Sequence, residues 1–363
     1  MKRIRAAVIG VGHLGKEHAR ILEGLADVEL VGVADVNLDQ AQAVARRHHT
    51  NAFADYWPLL NLVDVATIVV PTLYHLDVAR DFLKRGISVL VEKPLALNAA
   101  QAQELVGLAD QHGAVLQVGH IERFNPAYEE LCSRPLKPKL IRAQRMGPFT
   151  GRSTDIGVVL DLMIHDLDLV LGLVRSSVRS VEAVGMSCYG GHEDLASARI
   201  QFNNGCVAEL TASRASPTAA RQMQLWGAEG YAEVDFAARK LTLVQPSEQV
   251  RRQGLDPARL DAASRARIRE ELFTRHLEML TIDGKAQDQL TCELQDFIAC
   301  VQSGKTPRVS GKDGLAALQV ADQILGALRE HSWDGSLAGP KGPVQLPPPA
   351  GLLFPHRVDQ DVA

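Results

Sequence analysis

Cysteine is scarce in this chain of 363 residues. The five present (Cys132, Cys188, Cys206, Cys292 and Cys300) are odd in number, widely scattered and never in a CxxC arrangement. That excludes a disulfide framework and a cysteine-based zinc site, and leaves the thiols to be read as small buried hydrophobes. A charge excess of either sign is also missing: 39 Lys and Arg stand against 43 Asp and Glu, a net charge of -4, which implies no nucleic-acid or other polyanion partner. A long uninterrupted apolar run is absent too. The best candidate, Leu160 to Val174, carries Asp161, His165, Asp166 and Asp168, whose cost at a bilayer centre excludes a spanning helix and any membrane anchor there. The start, MKRIRAAVIGVG, opens like a signal peptide, but glycines interrupt its apolar run and it continues into a motif that has to be kept, so a cytoplasmic location is expected. No internal repeat is found.

What is present is alternation. Short apolar runs at Ala6–Ile9, Leu30–Ala34, Val63–Val70, Ser88–Val91 and Val115–Val118 are separated by segments of helical period, among them Leu76–Arg85 before Gly86 and Ala99–His112 before Gly113. This predicts βαβ units and a doubly wound parallel sheet over residues 1–122. Beyond that the style changes. One amphipathic helix is expected around Val158–Leu173, then strands at Val178–Ser187, Ala196–Phe202, Val207–Ser213, Arg221–Trp226 and Tyr231–Asp235 with turn residues between them, the pattern of an antiparallel sheet. The fold class is therefore α/β: an N-terminal Rossmann domain followed, over residues 123–335, by an α+β domain with a mostly antiparallel, open-faced sheet. Helices at Leu290–Gln302 and Gly314–Arg329 close this region and are expected to pack back on one of the two sheets, the last on that of the Rossmann domain. Residues 336–363, rich in proline, read as an extended arm or tail. The arginines of residues 251–275 are interleaved with Asp256, Asp261, Glu270 and Glu271, which favours a solvated helix face over a nucleic-acid patch.

Three motifs carry chemistry. Gly10-Val11-Gly12-His13-Leu14-Gly15 follows the first apolar run directly and opens a helix. Gly10 permits the tight turn, Gly12 lets backbone approach a pyrophosphate, and Gly15 lets helix and strand pack closely. Asp35 closes the second run about 20 residues later, where a carboxylate can accept hydrogen bonds from an adenosine ribose. It would repel a 2′-phosphate, and Val36 and Asn37 supply no cation, so NAD is expected over NADP. Glu92-Lys93-Pro94 comes immediately after the run Ser88–Val91, at the carboxyl end of a strand where ligands of such sheets bind. A lysine there faces an oxidised nicotinamide and could exchange a proton with a substrate hydroxyl; a plain surface lysine is the alternative. Finally, Asp161, His165 and Asp168 stand at i, i+4 and i+7 of an expected helix, one polar stripe in which a carboxylate can orient an imidazole for hydrogen bonding or base catalysis. A structurally satisfied pair would show the same spacing. No further His or Cys accompanies it, so no metal site is expected. In Pro71-Thr72-Leu73-Tyr74-His75, His75 either caps the next helix or contacts cofactor. Arg123 and Asn125, in Glu122-Arg123-Phe124-Asn125-Pro126 after Gly119-His120, face either substrate or an interdomain salt bridge.

Together GVGHLG, VPTLYH, EKP, RFNPAY and DLMIHDLD resemble the glucose-fructose oxidoreductase/inositol dehydrogenase (Gfo/Idh/MocA) family, over roughly residues 3–330. The resemblance implies that Lys93, Asp161 and His165 converge on an alcohol carbon that gives hydride to nicotinamide. It implies cofactor contacts from His13, Leu14, Val36, Pro71, Thr72, His75, Glu92, Lys93 and His120 beside the glycines and Asp35. It also implies dimers or tetramers built through the second-domain sheet. Within the family, GHIERFNPA, the stretch from Gly151 to Asp161 and Ala212–Pro217 are most similar to the UDP-N-acetylglucosamine 3-dehydrogenases, whose keto product an aminotransferase converts to the 3-amino sugar of lipid A-type glycolipids. A nucleotide-sugar needs cations for its diphosphate, for which Arg152 and Arg214 are candidates. Two other readings stay open: a dehydrogenase of a free polyol such as inositol, and a catalytically silent NAD-binding regulator, which has no chemical need for Lys93, Asp161 and His165 together.

Overall fold

The computed structural model describes residues 3–151, 155–189, 191–284, 287–336 and 339–345. Its first part runs β1 (Ile4–Ile9), α1 (His13–Gly24), β2 (Val28–Ala34), α2 (Leu38–Arg47), β3 (Asn51–Phe53), β4 (Val65–Ile68), α3 (His75–Leu83), β5 (Ser88–Glu92), α4 (Ala99–His112) and β6 (Leu116–Gly119). The six strands form one parallel sheet in the order β3-β2-β1-β4-β5-β6. Every residue of β4 and β5 is buried, as sequences covered by helices on both faces must be. Strand order reverses between β1 and β4, and ligands of such sheets bind beyond the strand ends at that switch point. Helix ends follow their local chemistry: the side chain of Asn98 caps α4 by accepting from Gln101 N, and Gly113 ends it in the left-handed region at φ +64°.

The remaining elements are α5 (Pro126–Cys132), β7 (Pro138–Met146), α6 (Ile164–Val174), β8 (Val178–Ser187), β9 (Leu195–Phe202), β10 (Val207–Ser213), β11 (Ala220–Gly227), β12 (Gly230–Asp235), β13 (Lys240–Pro246), α7 (Glu248–Gln253), α8 (Ala262–Glu271), β14 (Leu277–Asp283), α9 (Gln289–Ser303), α10 (Gly311–Glu330) and β15 (Val344–Gln345). Nine strands form a second sheet in the order β14-β13-β12-β11-β7-β10-β9-β8-β15, antiparallel except where β10 meets β7 and β15 meets β8. In β9 and β10 buried residues alternate with less buried ones, the period-2 signature of a sheet with one face on a core. Four strands of this sheet, β7, β13, β14 and β15, lie outside the runs expected from sequence. Of the proline-rich stretch, most lies outside the described residues, and β15 is its regular element.

By compactness, Met1–Phe124, Ser153–Asp168 and Gln287–Gly326 form one unit, and Asn125–Arg152, Leu169–Ala286 and Ala327–Ala363 the other. A single boundary near residue 122 is therefore replaced by an exchange of segments. The physical reason is burial: Leu290, Leu294, Phe297 and Ile298 of α9 join Ala19, Ile21 and Leu22 of α1 in the core of the first unit. Removing a buried aromatic such as Phe297 costs about 3–5 kcal/mol, so the first six strands and their own helices do not complete that core. The segment carrying Asp161 and His165 belongs to the same unit. It begins with a π-helical turn, Val159–Met163, where Ile164 N reaches back to Val159 O before α6 continues as an α-helix.

Candidate active site

The loop after β1 has the backbone that its glycines predict. Gly10 adopts φ +88°, and a Cβ there would lie 2.7 Å from Val69 O, beyond the end of β4. A Cβ at Gly15 would collide with the carbonyl oxygen of Gly10, whereas one at Gly12 would meet nothing within 4 Å. The loop is thus closed on the sheet side and open on the other. Gly12 is the N-cap of α1, no side chain caps that end, and no acidic residue stands in its first turn. An exposed helix N-terminus of this kind suits an anionic phosphate group. At the end of β2, Asp35 accepts from Val11 N (2.8 Å) and Asn37 N (2.9 Å), so its carboxylate is fixed beside the loop. Val36, next to it, is 97% exposed, and His13 is exposed as well. The donor set, the open face at Gly12 and the anchored carboxylate fit a dinucleotide.

At the end of β5, Lys93 donates from Nζ to Asp161 Oδ1 (3.0 Å) and to Asp161 O (2.8 Å). Both side chains retain about a fifth of their surface, 20% and 19%, so the pair is reachable by a small molecule. One partner comes from a strand end and the other from the π-helical turn, within one compact unit. His165, one turn along, is partly exposed and meets the His120 ring edge-on, with centroids 6.1 Å apart. His120 is buried, and burial holds its pKa below the usual imidazole range, with Asp168 pulling the other way. A neutral ring beside His165 and Lys93 adds no competing charge.

Glu92 is buried behind Lys93. Its Oε1 lies 3.2 Å from His18 Nε2, and its Oε2 accepts weakly from Lys93 N at 3.3 Å. A side chain at Gly119 would strike that carboxylate at 2.8 Å, so glycine there makes room for it. His75 begins α3 with its ring between Val70 O and Pro94 O, each 2.8 Å away, and so stitches together the loops that follow β4 and β5. Burial lowers its pKa. Thr72 is buried and Pro71 exposed in the same loop.

Arg123 forms a two-pronged contact with Asp168, Nε to Oδ2 at 2.6 Å and NH2 to Oδ1 at 2.8 Å, the geometry in which arginine binds carboxylate best. Asp168 is therefore turned to Arg123, while Asp161 is turned to Lys93. Asn125 caps α5 by accepting from Ala127 N and donates to Phe236 O. In the second unit Arg214 donates to Asp194 Oδ1 at 2.5 Å, and its guanidinium lies over the Phe149 ring at 5.1 Å. Arg152 lies outside the described residues. Sequence reasoning passed over His18, Gln40, Asp194 and Glu293. His18 falls among the buried residues of α1, and a histidine in an amphipathic pattern is ordinarily read as surface. Among the described residues no group of three or more His, Cys, Asp or Glu could hold a metal ion, and no helix is long and apolar enough to cross a membrane.

A glycine loop at the switch point, a carboxylate anchored beside it and a lysine–aspartate pair at the end of β5 fit a dinucleotide-dependent oxidoreductase. Comparison with known proteins agrees. Residues 4–120 match the model of the oxidoreductase family with NAD-binding Rossmann fold, and residues 134–233 match the GFO/IDH/MocA C-terminal domain. The chain is 35% identical over 325 residues to UDP-N-acetylglucosamine 3-dehydrogenase of Acidithiobacillus ferrooxidans, covering 89% of this chain and 97% of that one. A solved structure of that enzyme superposes with TM-score 0.79 at 34% identity, over 90% of this chain and 98% of the other. It is also 27% identical over 348 residues to scyllo-inositol 2-dehydrogenase (NAD(+)) of Bacillus subtilis, covering 90% and 94%. Levoglucosan dehydrogenase in complex with NADH shares the fold, with TM-score 0.75 at 18% identity over 90% and 97% of the two chains. The chain belongs to the GFO/IDH/MocA family of NAD-binding oxidoreductases. It is an NAD-dependent dehydrogenase acting on CH–OH.

Proposed function

We propose that this enzyme oxidises a secondary alcohol of a sugar to a ketone, and that its substrate is UDP-N-acetylglucosamine, oxidised at the 3-hydroxyl. The observation that carries the chemistry is the contact between Lys93 Nζ and Asp161 Oδ1 at 3.0 Å. Bound NAD supplies the hydride acceptor. Lys93 relays the hydroxyl proton, giving one Nζ proton to Asp161 as it takes up the other, or receives it as the neutral amine, Asp161 orients Lys93 and the hydroxyl, and His165 hydrogen-bonds the same oxygen or serves as the base. The glycine loop and Asp35 hold the cofactor, with Val36, Thr72, Glu92 and His120 shaping its surroundings. Arg123 and Asn125 support the substrate side through the ion pair and helix cap described above. Arg214 and Arg152 are assigned to the diphosphate.

The substrate assignment is supported by the similarity to UDP-N-acetylglucosamine 3-dehydrogenase, which extends over nearly the whole of both chains. Its product, a 3-keto sugar, is the substrate that an aminotransferase needs to make the 3-amino sugar of lipid A-type glycolipids, and we place the enzyme in the cytoplasm at that step. Self-association as a dimer or tetramer is assigned to the face of the second sheet that bears Arg142, Arg199 and Glu209, all partly exposed. A free polyol is the competing substrate, favoured by the inositol dehydrogenases among the relatives. The test is NADH formation over a panel of nucleotide-sugars, free sugars and inositols, with an aminotransferase present to draw off the ketone. Turnover confined to inositols would overturn the nucleotide-sugar assignment, and NADH formation with no member of the panel would overturn the alcohol oxidation.

A further inference from the structure

We propose that Gln40 is a positioning residue for the cofactor: it ties the glycine loop to Asp35 and so fixes the carboxylate that distinguishes NAD from NADP. The proposal rests on the reading of Asp35 as the ribose acceptor. Gln40 stands in the first turn of α2, whose N-cap is Asn37, and Asn37 Oδ1 accepts from Gln40 N at 3.2 Å. An N-cap Asn followed three residues on by Gln is capping-box spacing, in which the Gln side chain normally returns to the N-cap backbone N–H. Here Asp35 Oδ1 takes that N–H from Asn37 at 2.9 Å. The Gln40 carboxamide is turned elsewhere: Nε2 donates to Val11 O at 2.9 Å and to Asp35 Oδ2 at 3.2 Å.

The orientation of that amide follows from chemistry. Both groups it meets are acceptors, so the opposite orientation would set three oxygens against one another. Val11 closes the ring, since its N–H donates to the same Asp35 Oδ2 that Gln40 reaches. The loop backbone between two glycines and the end of β2 are thereby locked through one side chain. Glycines would otherwise leave that loop free to sample many conformations. A carboxylate has about four acceptor positions, and the protein fills three, two of them on Oδ2. The remaining capacity lies on Oδ1, in a fixed direction, for a ribose hydroxyl. A carboxylate held in this way also cannot swing aside for a 2′-phosphate.

The test is direct titration of NADH and NADPH, followed by nicotinamide fluorescence, on the full chain and on Gln40→Leu, Gln40→Glu and Asp35→Ser. Gln40 is half-buried on a helix surface, and equal melting temperatures check that each variant is folded. Loss of one hydrogen bond to a charged group predicts that Gln40→Leu weakens NADH binding about tenfold. NADPH binding should weaken less, so that the preference for NADH narrows. Gln40→Glu has the same length but sets a second negative charge against Asp35, and should weaken NADH more than leucine does. NADH affinity and preference unchanged in both Gln40 variants, with the preference collapsing in Asp35→Ser, would overturn the role of Gln40 alone. An unchanged preference in Asp35→Ser would overturn the ribose reading and this inference with it.

Discussion

Replacing Glu293 by leucine should stabilise the protein, and by more as the pH rises. Glu293 lies on α9 with none of its surface exposed, and neither carboxyl oxygen has a hydrogen-bond partner among the described residues. Burial raises its pKa well above the ordinary carboxyl range, and Glu92, Asp296 and Asp168 add negative charge that raises it further. The group is therefore an uncharged acid in the folded protein where a free glutamate would be ionised. An unsatisfied buried polar group costs about 1–3 kcal/mol, and leucine, one atom shorter and without polar atoms, removes that cost beside Leu290, Leu294 and Phe297. The pH dependence has a definite sign. An unfolded Glu loses its proton near pH ~4.3, while the folded one keeps it. The native state then binds more protons than the unfolded state, so wild-type stability falls as pH climbs above that point. The loss ends once Glu293 ionises in the folded protein. Leucine has no such loss. The stability gap between variant and wild type should therefore widen by about 1.4 kcal/mol per pH unit within that window. Urea melts at a series of pH values from about 5 to about 8, analysed by linear extrapolation, would measure it. Glu293→Gln separates the two contributions: it should share the pH trend of leucine but sit below it, because an amide also leaves buried groups unpaired. A gap that stays constant with pH, or a leucine variant less stable than wild type throughout, would refute the uncharged buried acid.

Lys93→Met should keep NADH binding and lose turnover by about 10²–10⁴, the usual share of a positioned acid or base; near-normal turnover would remove Lys93 from the proton transfer. Gly15→Ala should abolish or severely weaken NADH binding, because its Cβ would collide with the carbonyl oxygen of Gly10 and the loop would have to shift. A titration giving wild-type affinity would show that the tight packing of loop on helix is not required.

The glycine loop, Asp35 and Lys93 were legible because each is a local signal. Strand, loop and helix follow one another within a few residues, and where these residues stand is set by local backbone geometry. Strand β7 was not legible for the opposite reason. Its nine residues carry Lys139, Arg142 and Arg145, and Arg145 is itself buried with its guanidinium over the Phe236 ring at 5.7 Å. Its place between β10 and β11 depends on partners more than 60 residues away, so no short window of sequence contains the information. Strands β13 and β14 pair across the two arginine-rich helices α7 and α8, a separation that reads as the end of the sheet.

The helix bearing Asp161 shows how a sequence spacing can meet a geometry that changes. Spacing at i, i+4 and i+7 put Asp161, His165 and Asp168 on one stripe, yet the π-helical turn at Val159–Met163 inserts an extra residue into the hydrogen-bond ladder just before His165. A π-turn rotates the helix on its C-terminal side relative to the residues on its N-terminal side, and such turns are frequent at functional sites. Here the three residues take separate partners: Asp161 the ammonium of Lys93, His165 the edge of His120, Asp168 the guanidinium of Arg123. That division matters for mechanism. Had Asp168 stayed beside His165, two carboxylates and one imidazole would share a site and compete for the same protons. With Asp168 neutralised by Arg123, one carboxylate is left to the lysine, and Asp168 takes no part in the proton transfer proposed for Lys93, Asp161 and His165. Restoring the competition is an experiment in its own right. Arg123→Met leaves Asp168, which is 1% exposed, as a buried charge without its guanidinium, and should cost about 3–5 kcal/mol of stability. If instead that variant is as stable as the wild type, the Arg123 contact does not hold Asp168 away from the reacting groups, and the separation of roles along this helix has another cause.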